Sequence, residues 1–393
     1  MKEETRRIQI IMEEFAERTG LTGNAPPRRY LWTDAFAVCN FLDLFQKTGE
    51  DRYKKMALSL VAQVHAVLGK HRTDDPRTGW ISGLDEEKGR QHPTIGGLRI
   101  GKNLPERGPD DPYDDQLEWE RDGQYFHYLT KWMHSLNRVA EVTGRMSYHR
   151  WAMELAKAAH AAFTSAVTGS STKRMYWKMS IDLSRPLVTS MGQHDALDAL
   201  VTYLCLTATA KNNPDPSSSP NLDREIAEAM AMCGQMGLQT DDPLGIGGLL
   251  ADGCLLAQVT GENDLPLEAL LNDIFTDAAD GLERFILSGT LKYPAEYRLA
   301  FRELGLAIGL HGLEKTVSII KERPQYFSSR ETLLSRIADL WKHLTLAGEI
   351  EQFWLTPLHQ ESKTWTDHLD INSVMLATSL GPEGYLNAAD NRH

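Results

Sequence analysis

The sequence predicts an all-α protein assembled from helical hairpins, and two observations lead to this prediction. Apolar residues recur at helical spacing along most of the chain, as at Leu155, Ala158 and Ala162, whereas the alternation typical of half-buried strands is nearly absent. The dipeptide Thr-Gly also recurs between apolar helical segments. Its copies are Thr48-Gly49, Thr143-Gly144 and Thr260-Gly261.

Each Thr-Gly dipeptide predicts a tight turn between two antiparallel helices. A helix ends readily where the next residue takes the left-handed conformation, which glycine adopts without a Cβ clash. Together with an N-terminal helix over about residues 3–18, these breaks indicate roughly twelve helices, or about six hairpins. Because no linker rich in Gly, Ser or charge divides the chain, we expect one domain over residues 1–393.

The connections between the predicted helices alternate between short and long. The Thr-Gly turns are short, whereas long loops in a compact domain are usually functional or disordered. The long links cover about residues 19–31, 69–116, 169–190, 286–294 and 347–365. Because these links contain tryptophans, we expect ordered loops, and we expect the 69–116 segment to form a lid-like insertion over a site.

The composition excludes several classes of protein. The 393 residues include 42 Lys and Arg against 54 Asp and Glu, and the net charge of −12 is too acidic for a general nucleic-acid binder. No segment has the apolar length of a membrane span or the uninterrupted apolar core of a signal peptide. No metal-binding spacing such as HExxH occurs, so we expect neither a metal nor another cofactor. Four cysteines without a CxxC motif predict buried free thiols in a cytoplasmic protein, and they are Cys39, Cys205, Cys233 and Cys254.

Two segments carry a resemblance to a known family. Arg28-Arg-Tyr-Leu-Trp32-Thr-Asp34-Ala35-Phe36 resembles the first inner helix of the acylglucosamine epimerase family, and Met191-Gly192-Gln-His194-Asp-Ala-Leu-Asp198 resembles its Gly-x-His segment with a following acid. With the hairpin rhythm, this resemblance implies an (α/α)6 toroid of about six helical hairpins, related to six-hairpin glycosidases. It also implies a site in a funnel at the N-terminal ends of the inner helices. Phe36 stands where those epimerases carry an arginine, so the resemblance supports the fold rather than the epimerase chemistry.

Acidic residues are concentrated at the predicted starts of inner helices, and they are candidates for catalysis. Glycoside hydrolysis uses two carboxyl groups, one protonated and one ionised, although helix capping explains acids at these positions equally well. We predict catalytic roles for Glu120, Asp122, His194 and Glu296. Other acids from which the carboxyl pair could be drawn are Glu118, Asp34 and Asp367.

Aromatic and polar residues near the same helix starts are candidates for substrate binding. Aromatic faces stack on the C–H surface of sugars, whereas acids accept hydrogen bonds from sugar hydroxyls. The predicted set is Trp32, Asp34, Trp80, Arg99, Glu118, Tyr125, His127, Asp198, Arg298, Trp365, Asp367 and His368. A solvated polar face or a surface salt-bridge network remains the structural alternative.

Two further motifs predict little by themselves. Asp110-Asp111-Pro-Tyr-Asp114-Asp115 has the DDxxD spelling of diphosphate-binding helices, but Pro109 and Pro112 should break a helix there. An acidic lid or a calcium-binding loop over 106–115 suits the segment better. Gly96-Gly97-Leu-Arg99-Ile-Gly101-Lys102 lacks the spacing of a phosphate-binding loop, but Arg99 and Lys102 could contact an anionic substrate from a lid.

Three functions follow from this sequence. The first is a carbohydrate-active, glycoside hydrolase-like enzyme that binds a sugar or oligosaccharide in a central funnel. The second is a cofactor-independent sugar epimerase or isomerase that uses His194 and either His127 or His368 as bases. The third is a non-catalytic binding or scaffold protein. We expect a small-molecule partner, no nucleic acid and no membrane, with a homo-oligomer as an open alternative to a monomer.

Overall fold

The computed structural model describes residues 3–167, 173–213, 220–234, 237–261 and 265–388, and within these ranges helices predominate. Parts of the predicted 169–190 link and of the polar break at 212–221 lie outside the described residues. The helices are α1 (Glu3–Arg18), α2 (Leu31–Thr48), α3 (Asp51–Leu68), α4 (Glu86–Gln91), α5 (Asp115–Glu120), α6 (Phe126–Thr143), α7 (Met146–Phe163), α8 (Asp195–Asn212), α9 (Asp223–Cys233), α10 (Pro243–Val259), α11 (Leu267–Ser288), α12 (Ala300–Glu322), α13 (Arg330–Trp341), α14 (Thr345–Trp354), α15 (Pro357–Gln360), α16 (Lys363–Thr366) and α17 (Leu369–Leu380).

Short antiparallel strands accompany the helices. They are β1 (Gln124–Tyr125), β2 (Thr164–Ala166), β3 (Lys173–Met175), β4 (Lys178–Met179) and β5 (Pro186–Val188). Strand β4 pairs with both β1 and β5, and β2 pairs with β3. The sequence predicts hardly any sheet because strands of two or three residues are too short to show alternation.

The predicted Thr-Gly turns are confirmed. Gly49 follows α2 with φ +72°, Gly144 follows α6 with φ +69°, and Gly261 lies just beyond α10 with φ +92°. These values lie in the left-handed region, which glycine tolerates best. The predicted N-terminal helix at about 3–18 is also confirmed.

Several predicted helix starts are wrong by one turn or more. The inner-helix start predicted at the acids Glu118, Glu120 and Asp122 is wrong: α5 ends at Glu120, Gly123 has φ +150°, which no helix accommodates, and α6 begins only at Phe126. Pro294 starts a 3-10 turn over Ala295–Tyr297 instead of α12.

Two of the predicted loops also differ from the structure. Most of the predicted link at 347–365 is helical, since α14, α15 and α16 occupy it. Helix α11 extends to Ser288 and so takes up the start of the link predicted at 286–294. In contrast, the helix break predicted at Pro109 and Pro112 is confirmed, because α5 begins only at Asp115.

The contacts divide the chain into two compact units. Unit A comprises Ala16–Phe45 and Glu50–Met236, and unit B comprises the residues up to Phe15, Gln46–Gly49 and the residues from Gly237 onward. Within unit A, helix α6 packs against α3, α7 and α8. Within unit B, α12 packs against α10, α14 and α17. One domain over 1–393, with 69–116 as its lid, stays a prediction.

The cysteines and the helix lengths bear on two further expectations. Each of the four cysteines is buried and keeps its thiol outside a disulfide, as the sequence predicts. Of the helices in the described ranges, none is both long and apolar enough to cross a membrane.

Candidate functional site

Within unit A, four titratable side chains meet where α6 packs against α8, and we call them the acid cluster: His127, Lys131, Asp195 and Asp198. On α6, His127 and Lys131 are one turn apart and therefore share a face, as do Asp195 and Asp198 on α8. His127 Nδ1 lies 3.8 Å from Asp195 Oδ1. Lys131 Nζ donates to Asp198 Oδ1 at 2.9 Å. The two helices thus pair their polar faces at two successive levels.

The environment of Asp195 favours its protonated form. Burial is the largest cause and the nearby Asp198 the next, and together they raise the pKa of Asp195 to about 8. The hydrogen bond that its Oδ2 accepts from the Gly192 N–H, at 3.2 Å, and the Lys131 charge act in the opposite direction. Burial also lowers the pKa of His127 to about 4. At neutral pH the pair therefore consists of a carboxylic acid beside a neutral imidazole.

Aromatic rings adjoin the acid cluster, and we call them the aromatic patch: Tyr30, Trp32, Tyr125, Tyr128 and Trp177. Trp177 lies 4.8 Å from Tyr125 between ring centroids, and Tyr125 lies 5.2 Å from Tyr128. The hydroxyls of Tyr30 and Tyr128 are hydrogen-bonded at 2.8 Å. The buried Tyr125 hydroxyl has no hydrogen-bond partner among the described residues. Rings with polar tips of this kind suit a ligand that has both C–H faces and hydroxyl groups.

The aromatic patch contacts the acid cluster through His127. The imidazole is stacked with Tyr125 at 5.6 Å and with Trp177 at 6.4 Å between centroids. Its side chain keeps 27% of its surface exposed, so a ligand on the patch can reach it. His127 therefore links the buried carboxyl of Asp195 to the surface.

Asp122 has no exposed surface and accepts several hydrogen bonds. Its Oδ2 accepts from Arg99 at 2.9 Å and from Arg72 at 3.3 Å, and its Oδ1 accepts from the Gly101 N–H at 2.9 Å. Arg99 also donates to the carbonyls of Lys70 and Val67. These contacts hold the segment around Gly101 in place. They favour a positioning role for Asp122 and Arg99 rather than the catalytic and binding roles predicted for them.

Glu118 is buried in an ion pair that supports the aromatic patch. Lys178 Nζ lies 2.9 Å from Glu118 Oε1, and Arg107 donates to Glu118 Oε2 at 2.9 Å. The Lys178 ammonium lies 5.3 Å from the centroid of the Tyr125 ring, and burial lowers its pKa. Lys178 and Arg107 already pair with the Glu118 carboxylate. The geometry therefore does not favour the substrate contact predicted for Glu118, which stays a prediction.

Glu120 differs from its two acidic neighbours because it is exposed. Its carboxylate makes no ion pair or hydrogen bond with the residues that the structure describes, although its charge acts on Lys102 and Tyr125. The Lys102 ammonium lies 5.8 Å from the centroid of the Tyr30 ring, and burial lowers its pKa. Glu120 is thus the predicted catalytic acid that remains accessible beside the aromatic patch.

The remaining predicted residues of unit A lie at structural positions. Asp34 is buried and accepts a hydrogen bond from the Tyr30 N–H at 3.0 Å. Trp80 is buried and donates to Glu86 at 3.1 Å, in a cavity described below. His194, predicted as catalytic, is the N-cap residue of α8, which begins at Asp195 although Ser190 and Gln193 have the spacing of a capping box.

Of the residues predicted in unit B, Arg298 is buried and Glu296 is exposed. Arg298 donates two hydrogen bonds to Glu303, at 2.9 and 2.6 Å, and its guanidinium lies 3.6 Å from the centroid of the Phe353 ring. This bidentate, stacked ion pair is a packing feature of unit B. Glu296 lies on the 3-10 turn before α12 and keeps its predicted role as a hypothesis.

The other predicted residues of unit B precede α17. Trp365 is buried and stacks on Trp354 with 5.6 Å between centroids. Asp367 and His368 are exposed, and His368 contacts the Phe301 ring edge-to-face at 5.8 Å. Trp365 therefore belongs to the core, whereas the roles of Asp367 and His368 in substrate binding remain predictions.

The sequence predicted His127, Asp198, Trp32 and Tyr125 near one site, and the structure places them together. It missed Asp195, Lys131, Tyr128 and Trp177. Asp195 lies directly after His194, and an acid at a helix start normally indicates a cap. The signal for Tyr128 was present in the run Tyr125-Phe-His-Tyr128, in which three aromatic residues surround the histidine.

The acidic loop has no metal site within the described residues, where no group of three or more His, Cys, Asp or Glu side chains is placed to hold an ion. Asp111 instead accepts from the Gly108 N–H at 2.9 Å and from Arg121 at 3.1 Å. Protein donors thus occupy this carboxylate.

The chain matches no family model. It matches no curated protein sequence. Its structure is similar to that of the alpha-1,6-mannanase GH76A from Salegentibacter sp. HEL1_6, with a TM-score of 0.52, 12% identity, and coverage of 97% of this chain and 99% of that chain.

An inactive variant of that mannanase, with two aspartates changed to asparagine, was solved in complex with alpha-1,6-mannotriose. It matches with a TM-score of 0.53 and 13% identity over 98% of this chain and 100% of that chain. The cellobiose 2-epimerase from Spirochaeta thermophila DSM 6192 matches with a TM-score of 0.46 and 13% identity over 86% of this chain and 85% of that chain. The two mannanase structures, matched over almost the whole chain, show that this protein has the predicted all-α, (α/α)6 toroid fold.

Proposed function

We propose that the chain is a carbohydrate-active hydrolase whose site comprises the acid cluster and the aromatic patch. The observation that carries this proposal is Asp195, a buried carboxyl whose pKa is raised to about 8 beside the exposed edge of His127. A glycosidase needs one carboxyl group that is still protonated at neutral pH, so that it can donate to the leaving oxygen. Asp195 has this property.

The second carboxyl group of the proposed mechanism is Glu120 or Asp198. Glu120 is exposed beside Lys102 and Tyr125, so it can activate a water molecule at the edge of the patch. The charge of Asp198 acts on Asp195, but Asp198 is tied to Lys131. We favour Glu120 as the base and Asp198 as the charge that keeps Asp195 protonated.

The aromatic patch supports a sugar or oligosaccharide as the substrate. The half-buried rings of Tyr30, Tyr128 and Trp177 offer faces for sugar C–H groups. The similar mannanase binds alpha-1,6-mannotriose, which makes that trisaccharide the first compound to test. We also propose that the protein acts in the cytoplasm, since its four buried cysteines form no disulfide in the described residues.

The experiment measures the release of reducing ends from mannotriose and a panel of other oligosaccharides. We expect turnover by the wild type and a loss of about 10²- to 10⁴-fold in kcat for Asp195→Asn, because the proton donor is removed. Glu120→Gln should cause a loss of similar size. Asp223→Asn is the matched control, since Asp223 also occupies the first position of a helix, α9, but is exposed.

Three results would decide against the proposed hydrolase site. The first is a wild type that cleaves no member of the panel. The second is an Asp195→Asn protein that is folded by circular dichroism and retains full activity. The third is an equal loss in Asp223→Asn, which would indicate a general effect on stability rather than on the site.

A sugar epimerase or isomerase is the second candidate, and the His127–Asp195 contact favours it. A carboxyl group beside an imidazole can orient the ring and tune its basicity, and His127 is neutral and partly exposed. The sequence predicts His194 as the second base. An epimerase would transfer deuterium from D2O to a carbon next to the sugar carbonyl without releasing reducing ends, and His127→Gln would abolish that exchange.

A further inference from the structure

Unit A also contains a cavity, which the proposed hydrolase does not use. It measures about 470 Å³ and is lined by residues of α3, of the segment from Lys70 to Pro93, and of α7. Cavities of about 300–1,000 Å³ are typical of small-molecule sites. Its lining includes none of the residues of the acid cluster or the aromatic patch.

Aromatic side chains supply much of the cavity wall. Trp151 lies 5.2 Å from His65 and 5.0 Å from Tyr148 between centroids. The Trp151 indole N–H donates to the Gln91 carbonyl at 2.8 Å, and the Trp80 indole N–H donates to Glu86. Because both indole N–H groups are occupied by the protein, these tryptophans offer the cavity apolar ring surface.

His65 provides a buried hydrogen-bond donor at this wall. The Trp132 indole, which can only donate, donates to His65 Nε2 at 3.2 Å. The proton of a neutral His65 must then be on Nδ1, and burial keeps the ring neutral by lowering its pKa to about 3. The side chain is only 5% exposed, and its Nδ1–H has no acceptor among the described residues. A ligand oxygen in the cavity would supply that acceptor.

The polar rim of the cavity has an excess of positive charge. Lys70 donates to both oxygens of Glu86, at 3.1 and 2.8 Å, and Arg90 donates to Glu86 Oε1 at 3.0 Å. With the Trp80 indole, one carboxylate therefore accepts four hydrogen bonds and faces two cations. Lys70, Arg90 and Glu86 together carry one net positive charge. The rim therefore offers a ligand hydrogen-bond donors and an attractive field for an anion.

We propose that this cavity binds a small carboxylate that carries a ring. The carboxylate would share the cations Lys70 and Arg90 with Glu86, and the ring would lie against Trp80 and Trp151. An oxygen on or near the ring would accept from His65 Nδ1–H. A sugar acid and an aromatic acid share this chemistry, and the experiment separates them.

The test is isothermal titration calorimetry of the full chain with glucuronate and benzoate. Glucose and benzyl alcohol serve as neutral counterparts. We expect one of the two acids to bind saturably, and its neutral counterpart to bind at least about tenfold more weakly, because the charge-assisted contacts are lost. The acid that binds identifies the ring that the cavity prefers.

Two substitutions on α4 locate the binding. Arg90→Gln should weaken binding of the acid about five- to tenfold, since it removes one charged donor from an exposed rim. Lys88→Gln removes the same charge from the same helix, but the Lys88 ammonium lies 3.9 Å from Asp85 and Lys88 does not line the cavity. It should leave the affinity within about twofold of wild type.

The proposal is overturned by any of three results. The first is that neither acid binds saturably, and the second is that a neutral counterpart binds as tightly as its acid. The third is that Arg90→Gln and Lys88→Gln change the affinity equally. The side chains of Lys88 and Arg90 are both mostly exposed on α4, so their substitution should leave the fold intact. Circular dichroism checks this.

Discussion

Asp195 connects the proposed chemistry to the stability of the protein. Its carboxyl holds a proton up to about pH 8 in the folded state, whereas the ordinary value of an aspartate is 3.8. Between these values the folded state binds more protons than the unfolded state, so the free energy of unfolding falls as the pH rises. The slope from this one group can reach about 1.4 kcal/mol per pH unit.

Asp195→Asn should therefore flatten the pH dependence of stability between pH 5 and pH 8. The asparagine cannot ionise, so the destabilisation that the wild type suffers as the pH rises is absent. Urea unfolding at pH 5, 6, 7 and 8 measures the change. Asp223→Asn, at an exposed position, should keep the wild-type slope, and a wild-type slope in Asp195→Asn would contradict the raised pKa.

At this scale the sequence predicted single residues better than it predicted their partners. The sequence predicted His127, and the resemblance pointed to Asp198, but the Lys131 that pairs with Asp198 was missed. Their pairing depends on the packing of α6 against α8, which joins residues 67 positions apart. The same holds for Asp122 and Glu118: acids at a helix start predict caps or catalysis, and only the fold brings arginine and lysine to them.

At the scale of elements, the packing of α10 against α12 rests on small residues. A Cβ built on Gly247 would overlap the Gly305 carbonyl, and a Cβ on Gly309 would lie 2.8 Å from the Cα of Gly247. The two helix backbones therefore come into direct contact. Neighbouring Gly248 on α10 has nothing within 4 Å of a built Cβ, so it takes no part in this contact.

This pair of adjacent glycines gives a matched test. Gly247→Ala should lower the free energy of unfolding by about 1–3 kcal/mol, because the helices must move apart. Gly248→Ala should raise it by about 0.5–1 kcal/mol, because alanine loses less backbone entropy in a helix. Thermal and urea unfolding measure both values. Equal effects from the two substitutions would show that close backbone contact does not decide the stability of this pair.

The elements also show which sequence signals are reliable. The left-handed glycines at 49, 144 and 261 ended their helices as predicted, because that signal depends on one residue's own backbone. Ser190 and Gln193 have the spacing of a capping box, but α8 begins only at Asp195, and the Ser190 carbonyl accepts a hydrogen bond from the distant Trp177 N–H at 2.8 Å. Gly192 instead donates its N–H to Asp195. Helix starts next to a site are where local patterns and tertiary contacts compete.

At the scale of the whole molecule, each compact unit is assembled from separate parts of the chain. Unit B includes residues up to Phe15 together with residues from Gly237 onward. Ile8, Met12 and Phe15 of α1 are 2%, 0% and 1% exposed. Each buried side chain of this type contributes about 1.5–3 kcal/mol, so the three together approach the net stability of about 5–15 kcal/mol typical of a folded protein.

A fragment of residues 237–393 should therefore not fold cooperatively. It lacks the apolar face of α1 and the Lys47 partner of Glu383, at 3.1 Å, both of which belong to unit B. Differential scanning calorimetry should show no sharp transition for the fragment. Adding a peptide of residues 1–49 should restore one, whereas the same peptide with Ile8, Met12 and Phe15 changed to serine should not. A fragment that melts cooperatively by itself would mean that unit B folds without its N-terminal residues.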